Sequence, residues 1–196
     1  MSMVQVMDFA PPPVQEREIY RYAGCREADE GVRTLLQVCL GEAGKVLQYR
    51  VCWAKVACHA EKGVCDFGVF SVASEALVKN LQGCREAVLF AATVGVGMDR
   101  LIARYQRLSP AKAVMLQAIG AERAESLCNA FCDWLQQQGQ KLRPRFSPGY
   151  GDVPLSVQKD FFVLLQCEKN LGLYLNESLL MSPSKSVTAF IGVEGE

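Results

Sequence analysis

The sequence predicts an α+β fold, because strand-like and helix-like segments are mixed along the chain without a strict βαβ alternation. In residues 49–54, Tyr49, Val51 and Trp53 alternate with more polar or smaller side chains, which is the period of a strand. The uninterrupted apolar run of residues 87–93 predicts a central strand covered on both faces. Apolar side chains at helical spacing over residues 110–138 predict a long helix.

The N-terminal segment carries the weakest signals. Residues 1–14 end in three consecutive prolines, Pro11 to Pro13, which make a stiff and extended lead-in. Both a tail and an added edge segment of a sheet fit this composition. Residues 16–26 are short and mixed. We therefore divide the chain into a lead-in, residues 1–17, and one domain, residues 18–196, which is an ordinary size for a single domain.

The first half of the domain alternates between helix and strand patterns. Residues 29–46 predict a helix and residues 46–58 a strand. Gly63 predicts a turn before a second strand over residues 65–70. Either Ser71 or Ser74 can cap a short helix that ends at Leu81.

A glycine-rich turn follows the apolar run of residues 87–93. Gly95 and Gly97 do not complete a nucleotide-binding or phosphate-binding pattern, so a tight strand-to-helix turn is the preferred interpretation. Residues 98–107 predict a helix, and Asp99 is expected to cap it or, less readily, to reach a ligand. Pro110 suits the first turn of the long helix.

The C-terminal third begins with a polar, irregular segment over residues 136–145. Residues 154–170 predict one helix that stops at Gly172. Residues 173–181 are extended in character, and residues 186–193 predict a closing strand.

Composition excludes several classes of function. Lys and Arg equal Asp and Glu at 21 each, so the net charge is near zero; a protein that binds nucleic acid usually shows a basic excess. No apolar run reaches the roughly 18 residues that span a bilayer. Residues 1–10 lack the pattern of a signal peptide. The sequence therefore predicts a cytoplasmic protein that binds neither nucleic acid nor a membrane.

The nine cysteines are spaced widely and irregularly. An odd number in a chain of this kind argues against a disulfide framework. No C-x-x-C pair occurs and His59 is the only histidine, so ordinary buried cysteines are preferred over a metal site.

The segment of residues 143–152 has the composition of a rigid binding loop. Two prolines restrict its backbone, and two glycines allow other atoms to approach the main chain. Arg145 offers a planar fork of donors that matches a carboxylate, and Tyr150 offers a flat apolar face with a polar tip. The residues alone leave two alternatives open: a loop that binds a ligand with a carboxylate, an ammonium and a flat ring, or a structural turn before the next helix.

The same residues carry a resemblance to a known family. Residues 145–150, Arg-Phe-Ser-Pro-Gly-Tyr, resemble the R-x-x-x-G-Y motif of the activation domain of cobalamin-dependent methionine synthase. Residues 164–172, 175–181 and 183–189 resemble the segments that follow the motif. Weaker similarity upstream, including residues 121–125, resembles members that exist as separate small proteins. The resemblance covers about residues 18 to 193.

This resemblance implies a mixed antiparallel sheet with several long helices, and a binding site for S-adenosylmethionine. Arg145 would hold the carboxylate of the methionine moiety, and Glu125 could meet its ammonium. Backbone groups around Ser147, Pro148 and Gly149 would bind the amino acid end. Tyr150 would line the pocket where ligand and corrin face each other. The resemblance implies no catalytic residue and no metal ligand in this chain.

The family's role implies a function in partnership. Its activation domain docks on a cobalamin-binding domain whose cobalamin has been oxidised, and presents S-adenosylmethionine to the cobalt. An electron arrives, commonly from flavodoxin, and methyl transfer restores methylcobalamin. We therefore expect a reactivation protein that acts in trans on a methionine synthase, with flavodoxin or another reductant. The alternative is a module that binds S-adenosylmethionine for, or docks on, another corrinoid methyltransferase system, without catalysis of its own.

The sequence also departs from the family. Phe146 stands where a small residue or proline is usual, and Gly151 and Asp152 follow the motif as in the separate small proteins. Tyrosines that contact the ligand in the long enzyme have no counterpart here. The pocket is therefore expected to be less complete, or to be completed by a partner.

Overall fold

A computed structural model describes residues 3–195 of the chain. Its elements are, in chain order, β1 (Gln5–Asp8), α1 (Glu16–Tyr22), α2 (Glu30–Ala43), β2 (Arg50–Ala57), β3 (His59–Glu61), β4 (Val64–Asp66), β5 (Ser71–Ala73), α3 (Glu75–Leu81), β6 (Cys84–Thr93), α4 (Val96–Leu108), α5 (Pro110–Gln137), a 3₁₀ helix (Leu155–Val157), α6 (Gln158–Leu165), α7 (Cys167–Leu171), β7 (Tyr174–Leu175), β8 (Met181–Ser182) and β9 (Ser186–Glu194).

The main sheet has four antiparallel strands in the order β1-β2-β6-β9. Strand β6 lies between β2 and β9, and its residues from Ala87 to Thr93 are all buried. This confirms the central, doubly covered strand predicted from the apolar run. The closing strand β9 and the strand β2 also lie where the sequence predicts them, within a few residues at their ends.

Two hydrophobic cores cover the two faces of this sheet. On one face, Phe131 of α5 packs against Phe90 of β6 and Trp53 of β2, with ring centroids 5.0 and 6.0 Å apart. On the other face, Phe190 of β9 packs against Phe161 of α6 and Phe67, at 4.6 and 5.0 Å. The α+β prediction is therefore confirmed, with an antiparallel sheet and long helices.

Helix α5 is the longest element, with 28 residues. It begins at Pro110, as predicted, and packs against one face of the main sheet. Small residues on α5 let side chains from other elements approach the helix closely. A Cβ atom at Gly120 would lie only 3.0 Å from Cγ and Cε of Lys185, so the stem of this lysine lies directly on the helix.

The N-terminal segment forms an edge strand and is clamped to α5. Strand β1 pairs with β2, and Phe9 packs edge-on against Phe131 at 6.3 Å. Farther along, Arg123 donates hydrogen bonds to the carbonyls of Pro12 and Pro13, at 2.6 and 2.7 Å. Of the two alternatives for residues 1–14, the edge segment is the one found over residues 5–8; Met1 and Ser2 lie outside the described residues.

Three local predictions are wrong. Residues 154–170 do not form one helix, because Gln166 adopts a left-handed conformation (φ 49°) that separates α6 from α7. The predicted strand over residues 65–70 is shorter and earlier, as β4, because residues 67–70 form the connection to β5. Asp99 does not cap its helix; its carboxylate accepts hydrogen bonds from the backbone N–H and hydroxyl of Ser184, at 2.7 and 2.5 Å.

Ser74 resolves one alternative. It is the N-cap of α3, and its side chain accepts a hydrogen bond from the N–H of Leu77 at 2.9 Å.

None of the helices within residues 3–195 combines the length and the apolar character needed to cross a membrane.

Candidate functional site

The motif segment begins as an irregular extension of the main sheet. Phe146 and Phe190 of β9 exchange backbone hydrogen bonds of 3.0 and 2.8 Å. The N–H of Arg143 donates to the carbonyl of Gly192 at 2.9 Å. This pairing fixes the backbone on both sides of Arg145 against the edge of the sheet.

A tight turn follows at residues 147–153. The N–H of Tyr150 donates to the carbonyl of Ser147 at 3.2 Å, and the N–H of Gly149 donates to that of Val153 at 2.9 Å. Gly149 has a φ of +89°, which a residue with a side chain rarely adopts. The turn therefore depends on the glycine that the sequence motif contains.

Asp152 ties this turn to the start of α3. Its carboxylate accepts hydrogen bonds from the hydroxyl of Ser74 and from the backbone N–H groups of Glu75 and Ala76, at 2.8 and 3.3 Å for the two amides. The hydrogen bond from Ser74 and those from the two amides lower the pKa of this carboxyl group. The loop is thus held at both ends, by β9 and by a helix N-terminus.

Arg145 reaches from this loop to the long helix. Its Nη2 donates to Oε2 of Glu125 at 3.0 Å and to Oδ1 of Asn129 at 2.9 Å. Glu125 and Asn129 are four residues apart on α5 and therefore share one face. The Nη1 atom is buried and has no hydrogen-bond partner among residues 3–195, so one donor of the guanidinium fork is unused.

These groups line a cavity of about 290 Å³ between the loop, α5 and β9. Its lining consists of Glu125, Arg145, Phe146, Ser147, Tyr150 and Val187. Four of the six residues predicted from the sequence therefore meet at one cavity. Tyr150 is 71% exposed, so most of its ring is accessible to solvent at the opening of the cavity.

Pro148 and Gly149, the other two predicted residues, do not line this cavity. Pro148 is buried and Gly149 is exposed, and both shape the turn that carries Ser147 and Tyr150. Sequence analysis did not predict Phe146 and Val187 in this lining, nor Asn129, which binds Arg145, as site residues. Asn129 lies one helical turn from Glu125, a spacing that could have identified it, whereas the contribution of Val187 depends on strand pairing.

A second cavity of about 210 Å³ adjoins the first and shares Glu125 with it. Its other lining residues come from the N-terminal segment, α1 and α5: Gln15, Glu18, Tyr22, Glu122, Ser126 and Asn129. Helix α1 carries no clear signal in the sequence, so this half of the site was not predicted.

The two acids on this stretch of α5 differ in environment. Glu122 is buried beside Arg123, with 2.6 Å between Oε2 and Nε, and its Oε1 accepts from the hydroxyl of Ser126 at 2.6 Å. Glu125 instead pairs with Arg145 where both side chains are partly open to solvent. A ligand can therefore reach Glu125, whereas the buried Glu122 stabilises the fold.

Other reactive groups lie away from these cavities. His59 is exposed on β3, 3.2 Å from Oε1 of Glu61. The nine cysteines are free thiols, and burial raises the pKa of Cys132 to about 11. Over residues 3–195, no group of three or more His, Cys, Asp or Glu side chains is arranged to hold a metal ion.

Comparison with known proteins gives a structural match only. No protein-family model matches the sequence, and no curated protein matches it. Among solved structures, the chain is similar to the MetH reactivation domain bound to AdoHcy, with a TM-score of 0.71 and 15% sequence identity. The match covers 97% of this chain and 78% of that one. At this identity the likeness shows that the two share a fold.

Proposed function

We propose that this chain binds S-adenosylmethionine in the cavity at Arg145 and supports the reductive methylation of cob(II)alamin in a methionine synthase acting in trans. The observation that carries the proposal is the partly exposed ion pair between Arg145 and Glu125, which lines the cavity. An α-amino acid group carries a carboxylate and an ammonium on one carbon, so it matches such a pair.

The charges of the pair determine how the ligand would bind. The ligand would enter between the two side chains: its carboxylate would accept hydrogen bonds from Arg145 once the guanidinium turns to expose the buried Nη1, and its ammonium would lie against Glu125. Charges would then alternate in sign from one group to the next, and no charge would be buried without a partner. Arginine holds a carboxylate through two parallel hydrogen bonds, which fixes orientation as well as position.

The remaining lining suits the rest of the ligand. Phe146 and Tyr150 present aromatic faces, on which a flat ring can stack. Ser147 offers a hydroxyl and backbone groups near the amino acid end. The second cavity extends the site from Glu125 toward α1. The residues present therefore fit a molecule that joins an amino acid group to a flat heterocycle.

The structural neighbour supports this ligand class. The MetH reactivation domain was solved with AdoHcy, which is S-adenosylmethionine without its methyl group. The motif of residues 145–150 supports the ligand, and the structural match over 97% of the chain supports the fold that presents it.

The lining of the cavity supports a role in binding and orienting the ligand. Its lining contains one acid, Glu125, and no histidine or cysteine, so this chain would bind and orient the ligand, with little acid–base chemistry. A corrinoid held by the partner would supply the cobalt that accepts the methyl group. The proposed partners are the cobalamin-binding domain of a methionine synthase and a reductant such as flavodoxin.

Calorimetric titration with S-adenosylmethionine tests the site. Replacing Arg145 with alanine removes charged hydrogen bonds worth about 1.5–3 kcal/mol, so the affinity should fall about tenfold to a hundredfold. Arg143→Ala is the matched control, because Arg143 is two residues away and pairs with Glu194 at 3.2 Å. Equal affinities for Arg145→Ala and wild type would show that the ligand binds elsewhere.

A reconstituted reaction tests the role. Cob(II)alamin on a methionine synthase that lacks its activation domain is mixed with S-adenosylmethionine and a low-potential reductant, and methylcobalamin is followed by absorbance. The wild-type chain should raise the rate and Arg145→Ala should not. If the rate rises only with a different corrinoid methyltransferase protein, the alternative function is correct.

A further inference from the structure

Helix α4 carries a stripe of arginines on its exposed face. Val96, Arg100, Arg104 and Arg107 are three or four residues apart, so they lie on one side of the helix. The opposite side holds Met98 and Ile102 in the core. The stripe therefore faces outward along nearly the whole length of α4.

These arginines have no acidic partner. Within residues 3–195, no carboxylate lies within 4.0 Å of Arg100, Arg104 or Arg107; eight of the 21 lysines and arginines, and His59, do lie this close to one. The two nearby acids are already engaged. Asp99 accepts two hydrogen bonds from Ser184, and Glu42 is bonded to Lys112 at 2.8 Å.

The stripe does not serve the stability of the helix. Like charges three or four residues apart slightly destabilise a helix. Arg107 lies in the last turn, where the helix dipole favours a cation, but Arg100 lies near the N-terminus and gains nothing from it. A chain with a net charge near zero thus concentrates unpaired positive charge on one helix.

Exposed apolar side chains lie close to these arginines in the chain. Leu108 at the end of α4 is 68% exposed, and Val114 in the first turns of α5 is 54% exposed. Val96 adds a third apolar group at the other end. Arginine is enriched in protein interfaces, and apolar side chains are typical of the desolvated core of a contact.

We propose that this surface, made of Val96, Arg100, Arg104, Arg107, Leu108 and Val114, docks an acidic surface of a partner protein. Charge complementarity identifies the partner's chemistry: carboxylates spaced along a helix or strand, next to apolar side chains. A membrane fits less well, because the apolar face of α4 is buried in the core and unable to insert. Nucleic acid fits less well, because three arginines beside exposed leucine and valine make few phosphate contacts.

A designed helical peptide tests the docking surface. The probe carries glutamates at the spacing of the stripe with leucines at its ends, and the control peptide has the same composition with glutamates spread around the helix. We expect salt-dependent binding of the probe, weakened at least about fivefold by the triple change Arg100→Gln, Arg104→Gln and Arg107→Gln. The control protein, Lys62→Gln, Lys79→Gln and Lys159→Gln, loses the same charge elsewhere and should bind as wild type does.

The other occupants are outcomes of the same experiment. Equal binding of probe and control peptide, or equal weakening by both triple variants, would show attraction without a docking surface and overturn the proposal. Tighter binding to a DNA duplex or to anionic phosphatidylserine vesicles than to the probe would also overturn it. None of these measurements includes S-adenosylmethionine, so their result is independent of the proposed function.

A stability measurement, which needs no partner, tests whether the arginines of α4 stabilise the fold. Arg100→Glu converts the repulsive pair with Arg104 into an attractive one, so Tm should rise by about 1–3 °C. A lower Tm would show that the arginines stabilise the fold, and the stripe would then need no partner to explain it.

Discussion

At the scale of single residues, Arg145 and Glu125 matter because their contact is not buried. An ion pair that is partly open to water contributes little to stability, usually less than about 1 kcal/mol. A ligand can therefore separate the two side chains at small cost. The buried pair of Glu122 and Arg123, which are each 2% exposed, could not be opened in this way.

Glu125→Gln is expected to weaken S-adenosylmethionine binding while leaving the fold intact. The amide keeps the shape of the side chain and loses the charge that would face the ligand ammonium, so the affinity should fall about tenfold or more in calorimetric titration. Glu168→Gln, on α7, is the matched control and should bind as wild type does. Retained affinity in Glu125→Gln would place the ammonium elsewhere.

Lys185 and Gly120 form a second residue-scale contact, which depends on the absence of a side chain. Burial lowers the pKa of Lys185, with a smaller opposing effect of Asp99, and the ammonium has no salt-bridge partner among residues 3–195. The atoms Cγ, Cδ and Cε all lie within 3.1 Å of where a Cβ of residue 120 would be. The whole stem, and not only its end, would have to move.

The effect of Gly120→Ala on stability should therefore depend on Lys185: destabilising when Lys185 is present and stabilising when it is replaced by alanine. In the wild-type background the crowding should cost about 1–3 kcal/mol, which exceeds the roughly 1 kcal/mol gained by replacing glycine in a helix. In the Lys185→Ala background the crowding is gone, and the same substitution should stabilise by about 0.5–1 kcal/mol. Urea unfolding of the four proteins in this cycle measures the coupling; additive effects would contradict the contact.

The residue scale also shows which parts of the site a sequence can identify. Arg145 and Tyr150 stand out because prolines and glycines on either side hold them rigidly. Glu125 was found through family resemblance. Val187 could not be found, because its place at the cavity depends on how β9 pairs with β6, a contact between residues far apart in the chain.

At the scale of elements, Asp152 couples the binding turn to α3. A carboxylate is the preferred acceptor at a helix N-terminus, where backbone N–H groups have no partner within the helix. The hydrogen bonds from Ser74, Glu75 and Ala76 hold the turn of residues 147–153 against that end. A change at Asp152 should therefore affect both stability and ligand binding.

Asp152→Asn is expected to lower Tm at neutral pH, because the amide presents one acceptor where the carboxylate presents two. The pKa of Asp152 is below its ordinary value of 3.8 in the folded protein, so its contribution to stability is present above that value. The contribution is lost as the pH falls through the lower folded pKa. The Tm difference from wild type should therefore shrink in acid; Asp160→Asn, an exposed aspartate on α6, controls for general charge effects.

Elements were predictable where one period dominates a segment. The apolar run of β6 and the helical spacing of α5 were sufficient, because both elements bury a regular set of side chains. The break between α6 and α7 was not, because a left-handed Gln166 has no sequence signal comparable to a glycine. That break buries Cys167 and Leu171 on the second core, so tertiary packing decides it. The short strands β3 to β5 carry only three residues each, too few to show alternation.

At the scale of the whole molecule, the N-terminal segment supplies an edge strand of the main sheet and packs against α5. Strand β1 extends the main sheet, Phe9 joins the aromatic core, and the carbonyls of Pro12 and Pro13 satisfy the guanidinium of Arg123. Gln15 also donates its N–H to Glu122 at 3.1 Å. The boundary predicted between residues 17 and 18 places all of these contacts outside the domain, and it stays a prediction that truncation can test.

Removal of residues 1–14 should lower the free energy of unfolding by about 3–5 kcal/mol, because Phe9 would leave the aromatic core and Arg123 would lose two of its acceptors. Urea unfolding of the full chain and the truncated chain measures this difference. The same truncation in the background Glu122→Leu, Arg123→Met should cost less, since no hydrogen bonds to Arg123 are left to lose; what remains is the loss of β1 and Phe9. If truncated and full chains unfold at the same urea concentration, residues 1–14 are an appended tail and the predicted boundary encloses the whole stable unit. A large cost that is equal in both backgrounds would instead assign the stabilisation to the edge strand, and the clamp at Arg123 would contribute nothing measurable.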